Sequence, residues 1–438
     1  MNTILLIPTG EGVGLTSACL GMIYALDCKG INAGFLKPFS QLADAAVDRT
    51  ATLYRHLFQH QSVEPITYEK LTQLLGSGET DELLEEAVAL HRKISAHHDV
   101  IIVEGLVPNG QDHFAGEINA ALAQALDAQV VLVSTADLAD PRKTAEKVDA
   151  HLRQFGGAAS TRTTGVLFMR TKGLPDGTAA IPVTLDPSLR LDKQIAEFSI
   201  QLQRYNRFIG TDELPIIGLV PFSNILSVPR SLDIATVVNG TWLNEGEAKQ
   251  RRILHTSLIA SDIEAELHKF VAGELIISAS QRTDALLAAS LASSNGIPLA
   301  GLVLTEQAAP AANILEFCQG AIKQGLPILH TALDTLETAQ RLYHFGNEIP
   351  VDDIERAEQV TRFVSSHIDN NWLDQHTKNN LNPRLSPSAF RYELVQKSIA
   401  AKKRIVLPEG DEPRTVQAAA ICQSRGIAEC ILLAKPEA

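Results

Sequence analysis

TILLIPTGEGVGLTS, residues 3–17, is the stretch whose reading decides the architecture. Ile4 to Ile7 is a continuous apolar run, too short for a helix and without alternation, which is how a strand buried on both faces reads. Pro8 closes the run, Gly10, Gly12 and Gly14 permit a sharp turn, and a helix-like stretch runs from Leu15 to about Lys29. Strand, glycine turn and helix in this order put backbone N–H groups at a helix N-terminus, where they can converge on phosphate.

In a working P-loop a lysine reaches the β and γ phosphates and a Ser/Thr hydroxyl holds magnesium. Here Thr16 keeps the hydroxyl, Leu15 stands at the lysine position and Thr9 at the first glycine. The lost charge-assisted contact is worth about 1.5–3 kcal/mol, and phosphoryl transfer relies on it, so ATP hydrolysis is not expected. Two readings stay open: a βα turn that keeps its glycines for geometry alone, and an anion or nucleotide site without catalysis. Glu104 follows the apolar run Val100 to Val103, and Lys37-Pro38 ends the strand-like Gly34 to Lys37. Both belong to the carboxyl edge of a parallel sheet, where ligands of such sheets bind. Gly10, Gly12, Gly14, Thr16, Lys37 and Glu104 are therefore the candidate residues of a vestigial nucleotide or anion cleft.

Outward from this motif the same grammar repeats. Apolar runs at 130–133, 165–169 and 216–220 alternate with helical segments such as Asp81 to Ala96, predicting a mostly parallel sheet with helices on both faces. After Pro221 shorter β-like runs, Leu254 to Ala260, Glu274 to Ala279 and Ala300 to Thr305, alternate with helices such as Asp284 to Ser294 and predict a second, smaller α/β domain. Asp334 to Trp372 reads as helical and charged, and polar HTKNNLN at 376–382 with Pro383 and Pro387 behind it reads as a linker. Helix Pro387 to Ala401, strand Arg404 to Leu407, helix Glu412 to Arg425 and strand Cys430 to Leu433 begin a third α/β domain. So short a piece buries too little surface to stand alone, and the expectation is that it packs on the rest or that the natural chain continues.

The 438 residues suit two to four domains. A net charge of −13 argues against a nucleic-acid partner. No stretch approaches the ~20 apolar residues of a membrane span, and no signal peptide is legible. Cys19, Cys28, Cys318, Cys422 and Cys430 show no paired spacing, which suits a reducing cytoplasm with the cysteines acting as buried small hydrophobes. His56, His60, His97, His98 and the pair Asp352-Asp353 show no metal-ligand spacing and read as solvated faces.

The V-G-x-T loop, the strand ending in K-P, the strand ending in E-G and LPIIGLVP at Leu214 to Pro221 make residues 1–222 similar to the dethiobiotin synthetase and cobyrinic acid amidase branch of P-loop proteins. That branch uses the loop lysine and an Asn where this chain has Leu15 and Met169. Residues 223–345 resemble the module named for its D-R-T-G-G motif, with Arg282 and Thr283 of the signature kept. The stretches Arg384 to Leu394 and Lys403 to Ala419 resemble the opening of the phosphate acetyltransferase catalytic domain, and the order of the three regions is that of long-type bacterial phosphate acetyltransferases.

This resemblance implies domains at 1–222, 223–345, a helical linker at 346–384 and a catalytic start at 385–438. It implies interconversion of acetyl-CoA plus phosphate with acetyl phosphate plus CoA, no required cofactor, a cytoplasmic homo-oligomer, and small-molecule partners rather than nucleic acid or membrane. The catalytic residues are then expected beyond Ala438 and the chain alone inactive. Glu409, Asp411, Glu412 and Arg414, in the first βα loop of that domain, are expected to cap its helix, with lining a cleft as the alternative. An ATP-dependent ligase of the dethiobiotin synthetase type and a metabolite-sensing module without chemistry are the competing readings.

Overall fold

Residues 2–41, 48–110, 114–157, 162–174, 187–345, 348–377 and 386–434 are described by the computed structural model. They fall into two compact units, one of Met1–Pro175, Ile181–Phe222 and Ala357–Ala438, the other chiefly Ser223–Arg356.

The first unit is organised on the strand that opens the sequence. β1 (Asn2–Pro8) is buried along its whole length because it lies inside a six-stranded sheet. With β2 (Ala33–Leu36), β3 (Val100–Glu104), β4 (Gln129–Asp137), β5 (Thr163–Lys172) and β6 (Ile216–Pro221), the order is β2-β3-β1-β4-β5-β6 and every pairing is parallel. Leu5 sits opposite Val103 on one side and Val130 on the other, so the apolar runs read from the sequence stack in register. The chain leaves β1 toward β2 and leaves β4 toward β5, in opposite directions. The carboxyl ends of these two neighbours thus form the topological switch point at which open parallel sheets bind ligands.

The helices α1 (Leu15–Asp27), α2 (Arg49–Phe58), α3 (Tyr68–Gly76), α4 (Thr80–Ser95), α5 (Ala115–Ala125), α6 (Pro141–Leu152) and α7 (Pro187–Gln203) connect the strands. Asp48 and Asp140 cap α2 and α6 by accepting from Ala51 N and Lys143 N, each at 3.0 Å. Leu5, Ile7, Ile101, Val103, Val130 and Leu132 pack with Leu83, Leu122 and Val148 of α4, α5 and α6 into one core.

Further cover comes from a segment that the sequence assigns to a linker. Helices Ile354–Ser365, from Ala357 on, and Asn370–Thr377 pack against α1 and the strands of this sheet. Trp372 Nε1 donates to Thr164 O at 2.9 Å, and Asp369 N to Ile217 O at 2.7 Å. Close approach is possible because two positions lack a side chain: a Cβ on Gly21 would lie 2.4 Å from Val364 Cγ1, and one on Gly218 would lie 2.5 Å from His367 O. The stretch Asp334 to Trp372, read as helical and charged, holds the helices Thr335–Tyr343 and Ile354–Ser365 and the start of Asn370–Thr377. Of the polar 376–382 stretch, residues 378–382 lie outside the described residues.

Helix Pro387–Ala401 also packs on this unit. Ser386 caps it and donates to Ala125 O at 2.6 Å, Ala389 joins the core, and Arg391 Nε meets Glu85 Oε1 of α4 at 2.9 Å. Arg425 Nη2 reaches the other oxygen of Glu85 at 3.2 Å. Beyond the helix, β12 (Arg404–Leu407) and β13 (Glu429–Leu432) pair in parallel.

The second unit holds β7 (Thr241–Asn244), β8 (His255–Leu258), β9 (Glu274–Ala279), β10 (Gly301–Thr305) and β11 (Ile328–His330), ordered β7-β11-β10-β9-β8. All neighbours are parallel except β7 with β11. Two apolar clusters, one containing Ile276 and Leu302, the other Leu275, Ile277 and Val303, alternate along the same strands, so both faces are covered. β7 and β11 are additions to the sequence reading. Three or four residues give too short a pattern to be legible.

Candidate functional site

The sequence-derived candidates gather at the carboxyl edge of the first sheet, in two neighbouring groups. The first is the glycine loop. Thr9 anchors it to β4, donating through N to Val133 O at 2.9 Å and through Oγ1 to Ser134 Oγ at 2.8 Å. Gly12 (φ 66°) and Gly14 (φ 85°) adopt left-handed backbone, which glycine alone takes without strain. Gly14 is the N-cap of α1, which has no side-chain cap and no acidic residue in its first turn, so its opening N–H groups are not met by a carboxylate. Leu15 is buried and contributes to the core, where a P-loop lysine would reach toward phosphate.

The second group joins Thr16, Lys37 and Glu104 to two residues not singled out from the sequence, Asp48 and Thr50. Lys37 Nζ lies 2.8 Å from Asp48 Oδ2 and 3.0 Å from Glu104 Oε1. Thr16 Oγ1 and Thr50 Oγ1 are 3.0 Å apart, and Thr50 Oγ1 donates to Glu104 Oε1 at 3.3 Å. Burial alone would lower the Lys37 ammonium, but Glu104 and Asp48 outweigh it and hold the group above its ordinary value. Burial, reinforced by Glu104, pushes the Cys19 thiol well above its ordinary value and keeps it protonated. Asp48 was visible in principle, as the Asp that precedes a helical run. That its carboxylate would share a lysine with Glu104 depends on contacts remote in sequence.

This arrangement does not fit a magnesium nucleotide. Both carboxylates near Thr16 already hold an ammonium, and a metal would have to displace Lys37 to reach them. Glu104 Oε2, in a residue 5% exposed, is one of the buried side-chain atoms that make no hydrogen bond among the described residues.

Two cations frame the glycine loop on its other side. Lys147 Nζ, on α6, donates to Thr135 Oγ1 at 3.2 Å, and Arg170, at the end of β5, donates through Nη1 to Gly12 O at 3.1 Å. Arg170 has φ 51°, unusual for a residue with a side chain, and its guanidinium lies 5.3 Å from the Phe222 ring. Neither was picked out from the sequence. Nothing local marks a cation on α6 or β5 as belonging to a loop after β1.

Elsewhere several expectations change. Asp353 is not solvated: at 3% exposed it pairs with Arg252 (Nη2 to Oδ1, 2.9 Å), while Asp352 meets the buried Arg230 at 2.8 Å. Buried arginines demand such partners, and these come from chain segments about 100 residues away. Cys19 and Cys318 are buried as expected, but Cys28 is exposed at the end of α1, and Cys422 and Cys430 are partly exposed. His56, His60 and His97 are exposed, whereas His98 is partly covered and lies 5.6 Å from the His60 ring. Glu409, Asp411, Glu412 and Arg414 are exposed, and Glu412, the N-cap of Pro413–Ser424, makes no side-chain cap bond; Pro413 has already removed one of the N–H groups a cap would serve. Arg282, of the degenerate signature, pairs with Asp284 at 2.7 Å and donates to Ser261 O at 2.9 Å. Among the described residues no helix is long and apolar enough to cross a membrane, and no three His, Cys, Asp or Glu side chains are grouped to hold a metal.

Comparison with known proteins adds three family matches in order along the chain: an AAA domain at residues 2–230, a DRTGG domain at 233–345, and phosphate acetyl/butaryl transferase at 389–438. Over its whole length the chain is 75% identical to a phosphate acetyltransferase of Acinetobacter baylyi and 40% identical to one of Pseudomonas aeruginosa; 99% of it aligns at 37% identity with that of Escherichia coli K12. It spans 61% of the length of each of these relatives. Among solved structures, MinD of Aquifex aeolicus aligns at 15% identity and TM-score 0.28, covering 51% of this chain and 83% of MinD. The CBS and DRTGG regulatory region of a Clostridium perfringens pyrophosphatase aligns at 11% identity and TM-score 0.22, covering 36% of this chain and 71% of that one.

Proposed function

The chain belongs to the AAA domain family, which matches more than half of it, and carries DRTGG and phosphate acetyl/butaryl transferase matches behind that domain; from this premise we propose that it is part of a phosphate acetyltransferase. The observation that carries the proposal is 75% identity over the entire chain to an enzyme of that name, with the three matches in the same linear order. The reaction is acetyl-CoA plus phosphate to acetyl phosphate plus CoA, in the cytoplasm and in a homo-oligomer. Acyl transfer of this kind needs a base for the CoA thiol, cations for phosphate and donors for the developing oxyanion.

In this reading residues 1–222 and 223–345 are regulatory and assembly domains, 346–384 joins them to the transferase, and 385–438 opens its catalytic domain. The β12–β13 pair supports it, because Ile405, Val406 and Leu433 are exposed and a two-stranded sheet buries too little apolar surface to be stable alone. The self-neutralised Lys37 cluster and buried Leu15 favour a non-hydrolytic first domain over the ligase reading.

Assaying residues 1–438 for acetyl-CoA formation from acetyl phosphate and CoA tests the assignment against the polypeptide extended to the full length of its relatives. Turnover is expected only from the extended form. Turnover by neither form overturns the assignment, and turnover by 1–438 alone overturns the division of roles.

A further inference from the structure

Cys422 and Cys430 belong to different elements of the C-terminal segment, the helix Pro413–Ser424 and β13, and each is partly exposed. The chain folds them together. The helix closes where Ile427 N donates to Cys422 O at 2.9 Å, and Gly426 turns through left-handed backbone (φ 66°), which reverses the chain into β13. Cys430, the second residue of that strand, then lies against the last turn of the helix, and its thiol makes a hydrogen bond with Cys422. Sulfurs already in contact need side-chain rotation rather than backbone movement to bond.

The remaining cysteines are placed differently. Cys19 and Cys318 are buried, out of reach of a dissolved oxidant, and Cys28 is exposed at the end of α1. The pair in the C-terminal segment combines contact with access. Burial, with Cys422 adding to it, raises the Cys430 thiol, so Cys430 is the proton donor of the pair and Cys422 the acceptor.

We infer that Cys422 and Cys430 form a reversible thiol–disulfide modification site, oxidised by a small hydroperoxide and restored by a dithiol reductant. The Cys422 sulfur attacks one peroxide oxygen: an S–O bond forms, the O–O bond breaks, and the other oxygen leaves with the Cys422 proton, as water when the oxidant is hydrogen peroxide. The Cys430 sulfur then attacks the Cys422 sulfur: the S–S bond forms, the S–O bond breaks, and the hydroxyl leaves as water with the Cys430 proton. Two thiols give up two electrons and two protons, and the peroxide takes both. In a reducing compartment such a bond is transient, as in redox-sensing pairs. It ties β13 to the helix whose Arg425 meets Glu85 of α4 at 3.2 Å, so oxidation fastens the β12–β13 pair through that helix to α4. The inference does not depend on the transferase assignment.

The test treats the whole chain carrying Cys28→Ser, which removes the exposed thiol that could link two molecules, with hydrogen peroxide, then blocks remaining thiols by alkylation and maps peptides by mass spectrometry. The expected product is one peptide pair joined through Cys422 and Cys430, lighter by two hydrogens and separated again by dithiothreitol. Amide exchange from Ile427 to Leu433 should slow about tenfold or more in the oxidised chain, as closing a covalent loop does. Cys430→Ser should leave Cys422 as a sulfenic acid that dimedone traps, with no joined peptide. Recovery of both cysteines as free thiols, or their separate oxidation without a joined peptide, overturns the inference. So does a link that forms no faster in the folded chain than in urea, because the fold would then contribute nothing to it. The joined peptide is read in a chain whose Cys422 and Cys430 are intact, so the decision does not rest on the Cys430→Ser variant folding.

Discussion

Lys37 holds two buried carboxylates, and its removal would leave both without a counter-ion. Lys37→Met is expected to cost about 3–5 kcal/mol, as breaking a buried pair does, and adding Glu104→Gln should restore part of it; urea unfolding at neutral pH measures both. Because the folded ammonium titrates above its ordinary value of 10.5, its contribution is full below that pH and is lost as pH rises through the folded value. The alkaline stability loss should therefore be shallower in Lys37→Met than in wild type. His91 has the opposite sign. Burial, with Arg92 adding to it, lowers the imidazole from 6.5 to about 4, and its Nε2 shares a 2.9 Å hydrogen bond with Thr3 Oγ1. The unfolded chain takes the proton first, so stability falls by about 3 kcal/mol as pH drops from 6.5 to 4. His91→Gln, which cannot charge, should lose less over that interval in acid-melting experiments. Leu15→Lys restores the letter of the P-loop but places a charge in the core. It should lower stability by roughly 2–3 kcal/mol without creating ATPase activity, and phosphate release by this variant would count against the committed Lys37 cluster.

At the scale of elements, two of the contacts that hold the C-terminal helices to the first unit each make a separate prediction. Gly21→Ala forces α1 and the helix Ile354–Ser365 apart, since the new methyl meets Val364 at 2.4 Å; a loss of about 1–3 kcal/mol is expected in thermal melts. Val364→Ala should rescue some of it. Glu85 accepts from both Arg391 and Arg425, side chains about a third exposed, so the pair is discounted for solvent. Glu85→Ala should cost no more than about 1 kcal/mol globally, yet speed hydrogen exchange across Pro387–Ala401, and high salt should do the same to wild type. Unchanged exchange would mean that Ala389 and Ser386 hold the helix without the ion pairs.

The whole molecule divides into two units with their own cores, the first holding most of the AAA match and the second the DRTGG match. Much of this was legible early. The apolar runs of β1, β3, β4 and β6 need no long-range information, because a strand buried on both faces has no polar side to show. Glycine spacing marked the loop after β1, and ordered resemblance along the chain marked the succession of domains.

What stayed hidden depends on residues far apart in sequence. Thr16, Lys37 and Glu104 could be named as candidates of a nucleotide or anion cleft, but their pairing with Asp48 and Thr50 in a neutralised cluster exists only once three strand ends meet. The linker helices at 354–377 look solvated by composition. They cover the sheet because Gly21 and Gly218 let them approach, a fit between surfaces that no local periodicity records. The amino-acid order by itself determined the strands of the first sheet, which loop is glycine-rich and which charge is missing from it. Tertiary structure alone decided which charges lie beside that loop, since hydrogen bonds and ion pairs are set by distance in space and periodicity reports only distance along the chain.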